Sequence, residues 1–432
     1  MQMLFENITV LRADGTAAEH RFVAVEAEHI AAVSDRRPEG DWGETVDGRG
    51  KLLLPGFVNS HTHAAMTLLR GCGDDMSLHS WLHDRIFPLE ARMSGEDVYW
   101  GTLLGIAEML AGGTTSFSDM YYFTERVAQA VTESGIKANL GVSFSCTDSE
   151  KRLRDLPVQA ELIRLLTQVH GAGDGRVAID VAPHSEYTTH PGLLRDAAEL
   201  AAAYGARMQM HLSETRREQW ECVGRHGMTP AALLRETGIL EQPVTLAHGV
   251  WLTESDMDLL AEHKTVTLAH CPKSNLKLAS GIAQTTKWRR KGIAVAIGTD
   301  SAASNNTLDM LEELRMASLL AKGISGNPCA LPAQEVLYMA TRAGALAQGR
   351  RNCGDIVPGY RADLVMLDAA DAGIAPCDDP LSAAVYAASG RAVELTMVDG
   401  QVLYRAGEYP LLDMARVRWE CGRIRKQMTG KG

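Results

Sequence analysis

The chain changes texture twice along its length. In its middle, eight short apolar runs recur, each closing on polar residues: "GFVNSH", "TTSFSDM", "KANLGVSF", "VAIDVAPH", "RMQMHLSE", "VTLAHG", "TVTLAHC" and "IAVAIGTD". Near-continuous apolarity over so few residues marks strands covered on both faces. Between most of them, apolar residues recur at helical spacing, as in "VYWGTLLGIAEMLAGG", "PGLLRDAAELAAAYG" and "DMDLLAEH". The last follows Thr253, with Asp256 three residues on, the signature of a reciprocal helix cap. Eight strand–helix units predict an α/β fold, a closed parallel (β/α)8 TIM-like barrel, over residues 56–357.

The two ends read differently. "NITVLRA", "HRFVAVEAEHIAAV" and "KLLLPG" predict short strands separated by Gly and Asp turns. "ADLVMLD" and "AVELTMVDGQVLYRAGEYP" predict strand pairs around the turn "VDGQ". We therefore expect a small discontinuous β-sandwich domain, with residues 1–55 as one part and residues 358–432 as the other part and a tail. No short-period repeat or low-complexity segment interrupts this plan.

Composition narrows the partners. The 432 residues are 45% hydrophobic, enough for a sizeable core, and carry a formal charge of −11. That balance argues against nucleic acid, which calls for a basic face, and favours a small molecule. No window holds eighteen uninterrupted apolar residues, so no membrane partner is expected. The start "MQMLFENITV" lacks the basic-then-apolar plan of a signal peptide, and the cytoplasm follows. The eight cysteines, Cys377 among them, are scattered without a C-x-x-C pair and read as reduced thiols.

In a barrel of this kind, the chemistry lies where the strands end. His61, His63, His184, His211, His248 and His270, out of fourteen histidines, all fall at the ends of the apolar runs, and the last run ends in Asp300. Residues i and i+2 of a strand point the same way, so His61 and His63 face the barrel mouth together. With His211 from across the barrel and Asp300 from the last strand they make three imidazoles and a carboxylate, a donor set for a divalent metal of the zinc–iron class. Such a cation lowers the pKa of a bound water from about 15.7 to about 7, roughly 12 kcal/mol of easier ionisation.

Glu214, three residues past His211, is placed to carry a proton without ligating. His248 is placed to hydrogen-bond the attacking oxygen or polarise a substrate. Any one of these residues alone reads as a hydrogen-bonded core group or a cap; their convergence on strand ends gives them meaning together. Competing chemistries find no support. "GGTTSFSD" lacks the lysine of a phosphate loop, and no G-x-S-x-G elbow occurs.

The sequence resembles the amidohydrolase superfamily, and within it the methylthioadenosine/S-adenosylhomocysteine deaminase family. The strings that carry the resemblance are "PGFVNSHTHAAMTLLRG", "GTTSFSDMYYF", "LAHCPKSNLKLASGIA", "GTDSAASNNTLDMLEELR" and "IVPGYRADLVMLD". The resemblance implies one divalent metal per subunit, Zn2+ or Fe2+, held by His61, His63, His211 and Asp300. It implies Glu214 as proton shuttle to the purine N1, His248 beside the attacking water, and Asp300 as an aid to its deprotonation. It further implies Glu90 as acceptor for the ribose hydroxyls and His184 as a substrate contact; Trp81 in "LHSWLHD" is near enough to Glu90 in sequence to line the same pocket, with core or lid packing the alternative. The implied reaction is deamination of a 5′-substituted adenosine to the inosine analogue and ammonia, in a homodimer or homotetramer.

Two stretches depart from the family pattern. "APHSEYTTH" places Ser185 and Glu186 where the family commonly reads "APHAPYT", and a negative charge near a pocket disfavours a substrate carboxylate. In "SFSCTDSEKRLRDLP", Arg152 or Arg154 is the candidate to meet a homocysteine carboxylate. The alternatives on this scaffold are an aminohydrolase of guanine, a pterin or a triazine, a cyclic amidase, and a non-catalytic relative. A cyclic amidase of this superfamily often carries a lysine on the fourth strand, which "VAIDVAPH" lacks.

Overall fold

The computed structural model describes residues 2–376 and 378–430, so Cys377 lies outside the described residues. Five strands open the chain: β1 (Gln2–Leu11), β2 (Ala17–Glu26), β3 (His29–Ser34), β4 (Glu44–Asp47) and β5 (Lys51–Pro55). Eight more follow: β6 (Phe57–Thr62), β7 (Thr114–Tyr121), β8 (Lys137–Phe144), β9 (Val177–Pro183), β10 (Met208–Leu212), β11 (Val244–His248), β12 (Val266–His270) and β13 (Ala294–Ile297). Three close the count: β14 (Leu364–Asp368), β15 (Val393–Val398) and β16 (Gln401–Arg405).

Strands β6 to β13 form one parallel sheet in sequential order, and each is one of the eight apolar runs. Nearly every residue in them is buried, as two covered faces require. The sheet curls until its last strand meets its first. The Asp300 N–H donates to the His61 carbonyl at 2.9 Å, and Asn59 Nδ2 donates to Thr299 Oγ1 at 2.7 Å. Gly298 permits this seam, because a Cβ there would lie 2.7 Å from the His61 nitrogen. Asp300 and His61, two of the expected metal ligands, are thus neighbours across the seam where the barrel closes.

The second sheet draws on both ends of the chain, in the order β16-β15-β14-β5-β1-β2-β3, with β4 beside β1. Alternate residues of its central strands β5 and β14 enter two different apolar clusters. Leu53, Leu364 and Met366 enter this sheet's own apolar cluster with Met3, Phe5 and Val25. Leu52, Leu54, Val365 and Leu367 point the other way into the main core. The β15–β16 turn is Asp399–Gly400, with φ of 48° and 72° at its two central residues, the left-handed pair that matches the twist of a tight hairpin. The last helix, Met414–Thr429, has no counterpart in the strand-centred reading of this segment. It packs on the barrel's flank, where its Arg425 donates to the carbonyl of Arg70 at 2.9 Å.

The predicted cap also forms. Thr253 accepts from the Asp256 N–H, and the Asp256 carboxylate accepts from the Thr253 N–H. Of the described cysteines, Cys222, Cys271, Cys353 and Cys421 are buried, Cys72 and Cys146 half-buried and Cys329 exposed, all as free thiols. Among the described residues no helix is long and apolar enough to cross a membrane.

Candidate metal centre and cleft

The strand ends converge as their sequence positions require. His61 and His63 project from the end of β6, His211 from β10, and Asp300 follows β13. His61, His63 and His211 place one ring nitrogen each within 4.8 Å of one another, and so do the donor atoms of His61, His248 and Asp300. Asp300 Oδ1 lies 3.3 Å from His63 Nε2 and 3.7 Å from His61 Nε2.

The outward hydrogen bonds decide which nitrogens face inward. His63 Nδ1 meets the Met120 carbonyl at 2.5 Å, and His211 Nδ1 meets the His184 carbonyl at 2.8 Å. A carbonyl only accepts, so each Nδ1 carries the proton and each Nε2 presents a bare lone pair. Those two Nε2 atoms stand 3.4 Å apart, two acceptors facing each other. His61 Nε2 is buried and has no hydrogen-bond partner. Asp300 spends Oδ2 on the hydroxyls of Ser274 (2.6 Å) and Ser304 (2.8 Å), which leaves Oδ1 toward the imidazoles. The facing Nε2 atoms of His63 and His211, the unpartnered Nε2 of His61, and Asp300 Oδ1 beside His61 and His63 are a donor set that fits a divalent cation.

The electrostatics agree. Burial, then His63, holds His61 well below its ordinary pKa, and burial, then His184, does the same to His211. Neutral imidazole is the ligand form. Burial opposes the charge on Asp300, but positive charge at the imidazole positions, His63 foremost, outweighs it and holds the pKa low; a divalent cation among neutral imidazoles would supply that charge instead.

Glu214 follows the turn after β10. It is buried, and burial raises its pKa. Its Oε2 lies 3.9 Å from His248 Nε2, and Ser280 Oγ donates to its Oε1 at 3.2 Å. Burial works against a charge on His248, but the carboxylates, Glu214 foremost, outweigh it and the pKa rises. Asn275 Oδ1 accepts from His248 Nδ1 at 2.9 Å and turns Nε2 toward the cleft. Ser213, His248 and Asp300 all have positive φ, 48°, 76° and 59°. This conformation costs a side-chain-bearing residue energy and clusters where function fixes geometry.

A narrow cleft, with about 60 Å³ of room for solvent, opens over these groups. Glu90, Trp81, His184, His211, Glu214, His248 and Asp300 border it, with apolar walls from Leu82, Ile86 and Phe87. Glu90 is half-buried at the end of a short helix, Phe87–Glu90. It accepts a hydrogen bond from the Tyr121 hydroxyl at 2.7 Å. Burial raises its pKa. His184 is pushed down to about 4, by burial first.

Other positions fall outside the cleft. Arg152 Nε donates to Asp196 at 2.7 Å, and Arg154 is exposed, 4.0 Å from Asp155. Neither borders the cleft. Glu186 also stays out of it, buried and paired with Arg225 at 2.7 Å. His270 packs edge-on against Trp288 and does not border the cleft. Tyr121 and Tyr187 border the cleft without having been singled out. Tyr121 is the last residue of β7, and the strand-end rule applied to "TTSFSDMYYF" reaches it.

The chain matches the family model described as "Amidohydrolase family" over residues 52–403. It is 43% identical over 423 residues to a protein of Pelotomaculum thermopropionicum named 5-methylthioadenosine/S-adenosylhomocysteine deaminase, covering 97% of this chain and 96% of that one. It is 42% identical over 409 residues to a 5′-deoxyadenosine deaminase of Methanothermobacter thermautotrophicus, covering 94% and 95%. Among solved structures, an adenosine deaminase from Xanthomonas campestris with bound zinc superposes with a TM-score of 0.93 at 33% identity, covering 99% and 98%. A zinc complex of the atrazine chlorohydrolase TrzN from Arthrobacter aurescens gives 0.90 at 25% identity, covering 98% and 100%. Barrel, strand-end donors and matched span agree: this chain belongs to the amidohydrolase family.

Proposed function

We propose that the chain is a hydrolase that deaminates 5′-substituted adenosines, such as 5′-methylthioadenosine and 5′-deoxyadenosine, to the inosine analogue and ammonia. The observation that carries this reading is the pair of bare imidazole nitrogens of His63 and His211, 3.4 Å apart, with buried Glu214 beside them. The relatives named as nucleoside deaminases, similar over nearly the whole chain, support the substrate class.

His61, His63, His211 and Asp300 would hold one divalent cation per chain, and we propose zinc, the ion bound in the solved neighbours. When bound it supplies a water that ionises near neutral pH. Glu214 accepts a proton and passes it to the purine N1; its raised pKa suits a group that must both take and give at neutral pH. His248, fixed by Asn275, holds a hydrogen bond at the oxygen that attacks C6. Glu90 offers two oxygens to the ribose diol, and Tyr121 orients it. His184 and Trp81 flank the bound nucleoside.

The residues bordering the cleft include neither lysine nor arginine, so we place neutral 5′ groups ahead of a charged homocysteine tail. The test is ammonia release from adenosines differing only at the 5′ position, with free guanine and an aminotriazine alongside. We expect methylthioadenosine and 5′-deoxyadenosine to turn over, S-adenosylhomocysteine to lag by about tenfold, the scale of one unmet ionic hydrogen bond, and the ribose-free rings to stay inert. Rapid turnover of guanine with none of the nucleosides contradicts the reading.

We also propose a homodimer or homotetramer, on the strength of large exposed aromatics such as Trp419 and Trp220, 64% and 61% exposed. Light scattering of the purified protein checks it. The free thiols suit a reducing compartment, and we propose the cytoplasm.

A further inference from the structure

The turn that carries Glu214 is gripped from behind by a second carboxylate. Glu218 lies on the helix Arg216–His226 and is 4% exposed. Its Oε1 accepts the Ser213 N–H and its Oε2 accepts the Glu214 N–H, each at 2.7 Å. Ser213 between them holds φ of 48°. The adjacent Gln219 accepts the Ser213 hydroxyl at 2.9 Å and donates to Asp256 at 3.0 Å. One helix thus holds the turn through two consecutive side chains and is itself tied to the helix Glu254–Glu262.

As an acid in the first turn Glu218 favours the helix N-terminus, but both of its oxygens are spent on the turn before the helix. Thr215 already caps the helix, accepting from the Glu218 N–H at 3.2 Å. Glu218 has no cation in ion-pair contact among the described residues, and it sits near the carboxylates of Glu186 and Glu214. Burial and that crowding push its pKa up to about 8. A buried carboxylate among like charges weakens a fold unless its position has another use.

We infer that Glu218 is a positioning residue for proton transfer: its two oxygens lock the Ser213 and Glu214 peptide groups and so aim the Glu214 carboxyl at the cleft beside His248. Glu218 does not border the cleft, so it acts through Glu214. The inference rests on the proposed role of Glu214.

Glu218→Gln tests it. The amide keeps the volume but turns an NH2 toward one of the two N–H donors, so one hydrogen bond is lost. We expect kcat to fall about tenfold to a hundredfold, the cost of misplacing a reacting group by about an ångström. KM should stay within about twofold and metal content should not change, while the kcat–pH limb that reports Glu214 should move. Glu221→Gln, on the exposed side of the same helix, should leave both kcat and that limb in place. An unchanged kcat and pH profile in folded Glu218→Gln overturns the inference. If that variant does not fold, Glu218→Asp replaces it: the shorter side chain reaches at most one donor, the same kcat loss is expected, and its absence overturns the inference. Glu214→Gln run in parallel separates the two claims. If it loses activity while the Glu218 variants do not, only the positioning role fails; if it too keeps activity, the reading of Glu214 fails.

Discussion

The two poles of the barrel bury charge in opposite ways. At the N-terminal end of the strands, Lys137 is 3% exposed and lies 2.6 Å from both Asp363 and Asp399. Arg361 adds a 2.5 Å contact to Asp399, and Arg176 a 3.4 Å one. Lys137, Asp363 and Asp399 each face an opposite charge there, and the cluster ties the barrel to β14 and to the β15–β16 turn. At the C-terminal end, imidazoles crowd imidazoles and carboxylates crowd each other, with no lysine or arginine bordering the cleft among the described residues. One pole is settled by the chain itself. The other is settled only by what binds, and that division follows the general allotment of stability and chemistry to the two faces of such a barrel.

Substitutions sharpen the contrast. Lys137→Met should have the largest effect, a loss of about 3–5 kcal/mol, since it leaves the buried Asp363 carboxylate without its ion-pair partner and takes one of three cations from Asp399. Denaturant unfolding measures this, and kcat of the folded protein should stay within about twofold; a large change in kcat would blur the division of the poles. Glu214→Gln should do the reverse, lowering kcat about a hundredfold or more with little change in the unfolding midpoint. Steady-state ammonia release reads it.

Glu90→Ala comes next. Losing hydrogen bonds to a charged acceptor should weaken nucleoside binding about tenfold, seen as a rise in KM, and should spare ribose-free analogues. Equal damage to both classes removes the diol role. Arg152→Ala should do least. Its guanidinium is 44% exposed and already spent on Asp196, so stability should barely change and kcat/KM should hold for every substrate. A selective loss with S-adenosylhomocysteine would return Arg152 to the substrate.

The barrel was legible because its strands are apolar on both faces and end abruptly. Each of the eight runs became a strand, and the positions of His61, His63, His211 and Asp300 at their ends brought the four proposed ligands to one end of the barrel. Glu90 was legible only through the resemblance. Its neighbours in "IFPLEARM" read as a solvated helix end, and a tyrosine 31 residues away brings it into the cleft. Glu218 was legible as a cap residue, three positions after Thr215 as Asp256 is after Thr253, but its hold on the turn before the helix was not. In "TRREQWE" it is one carboxylate among several, and only the positive φ at Ser213 gives it two donors to hold. The strand β4 and the helix Met414–Thr429 were missed because each depends on a partner far along the chain: β1 for the first, the barrel flank for the second. Local pattern reports what a segment buries, and it is silent on which distant surface receives it.

The most direct measurement is the metal content of the purified protein and its variants. One tightly held divalent cation per chain is predicted, retained in Glu214→Gln and lost in both His211→Ala and Asp300→Ala. A chain that holds no cation after gentle purification, or one that keeps it in full when His211 is removed, contradicts the account at its root.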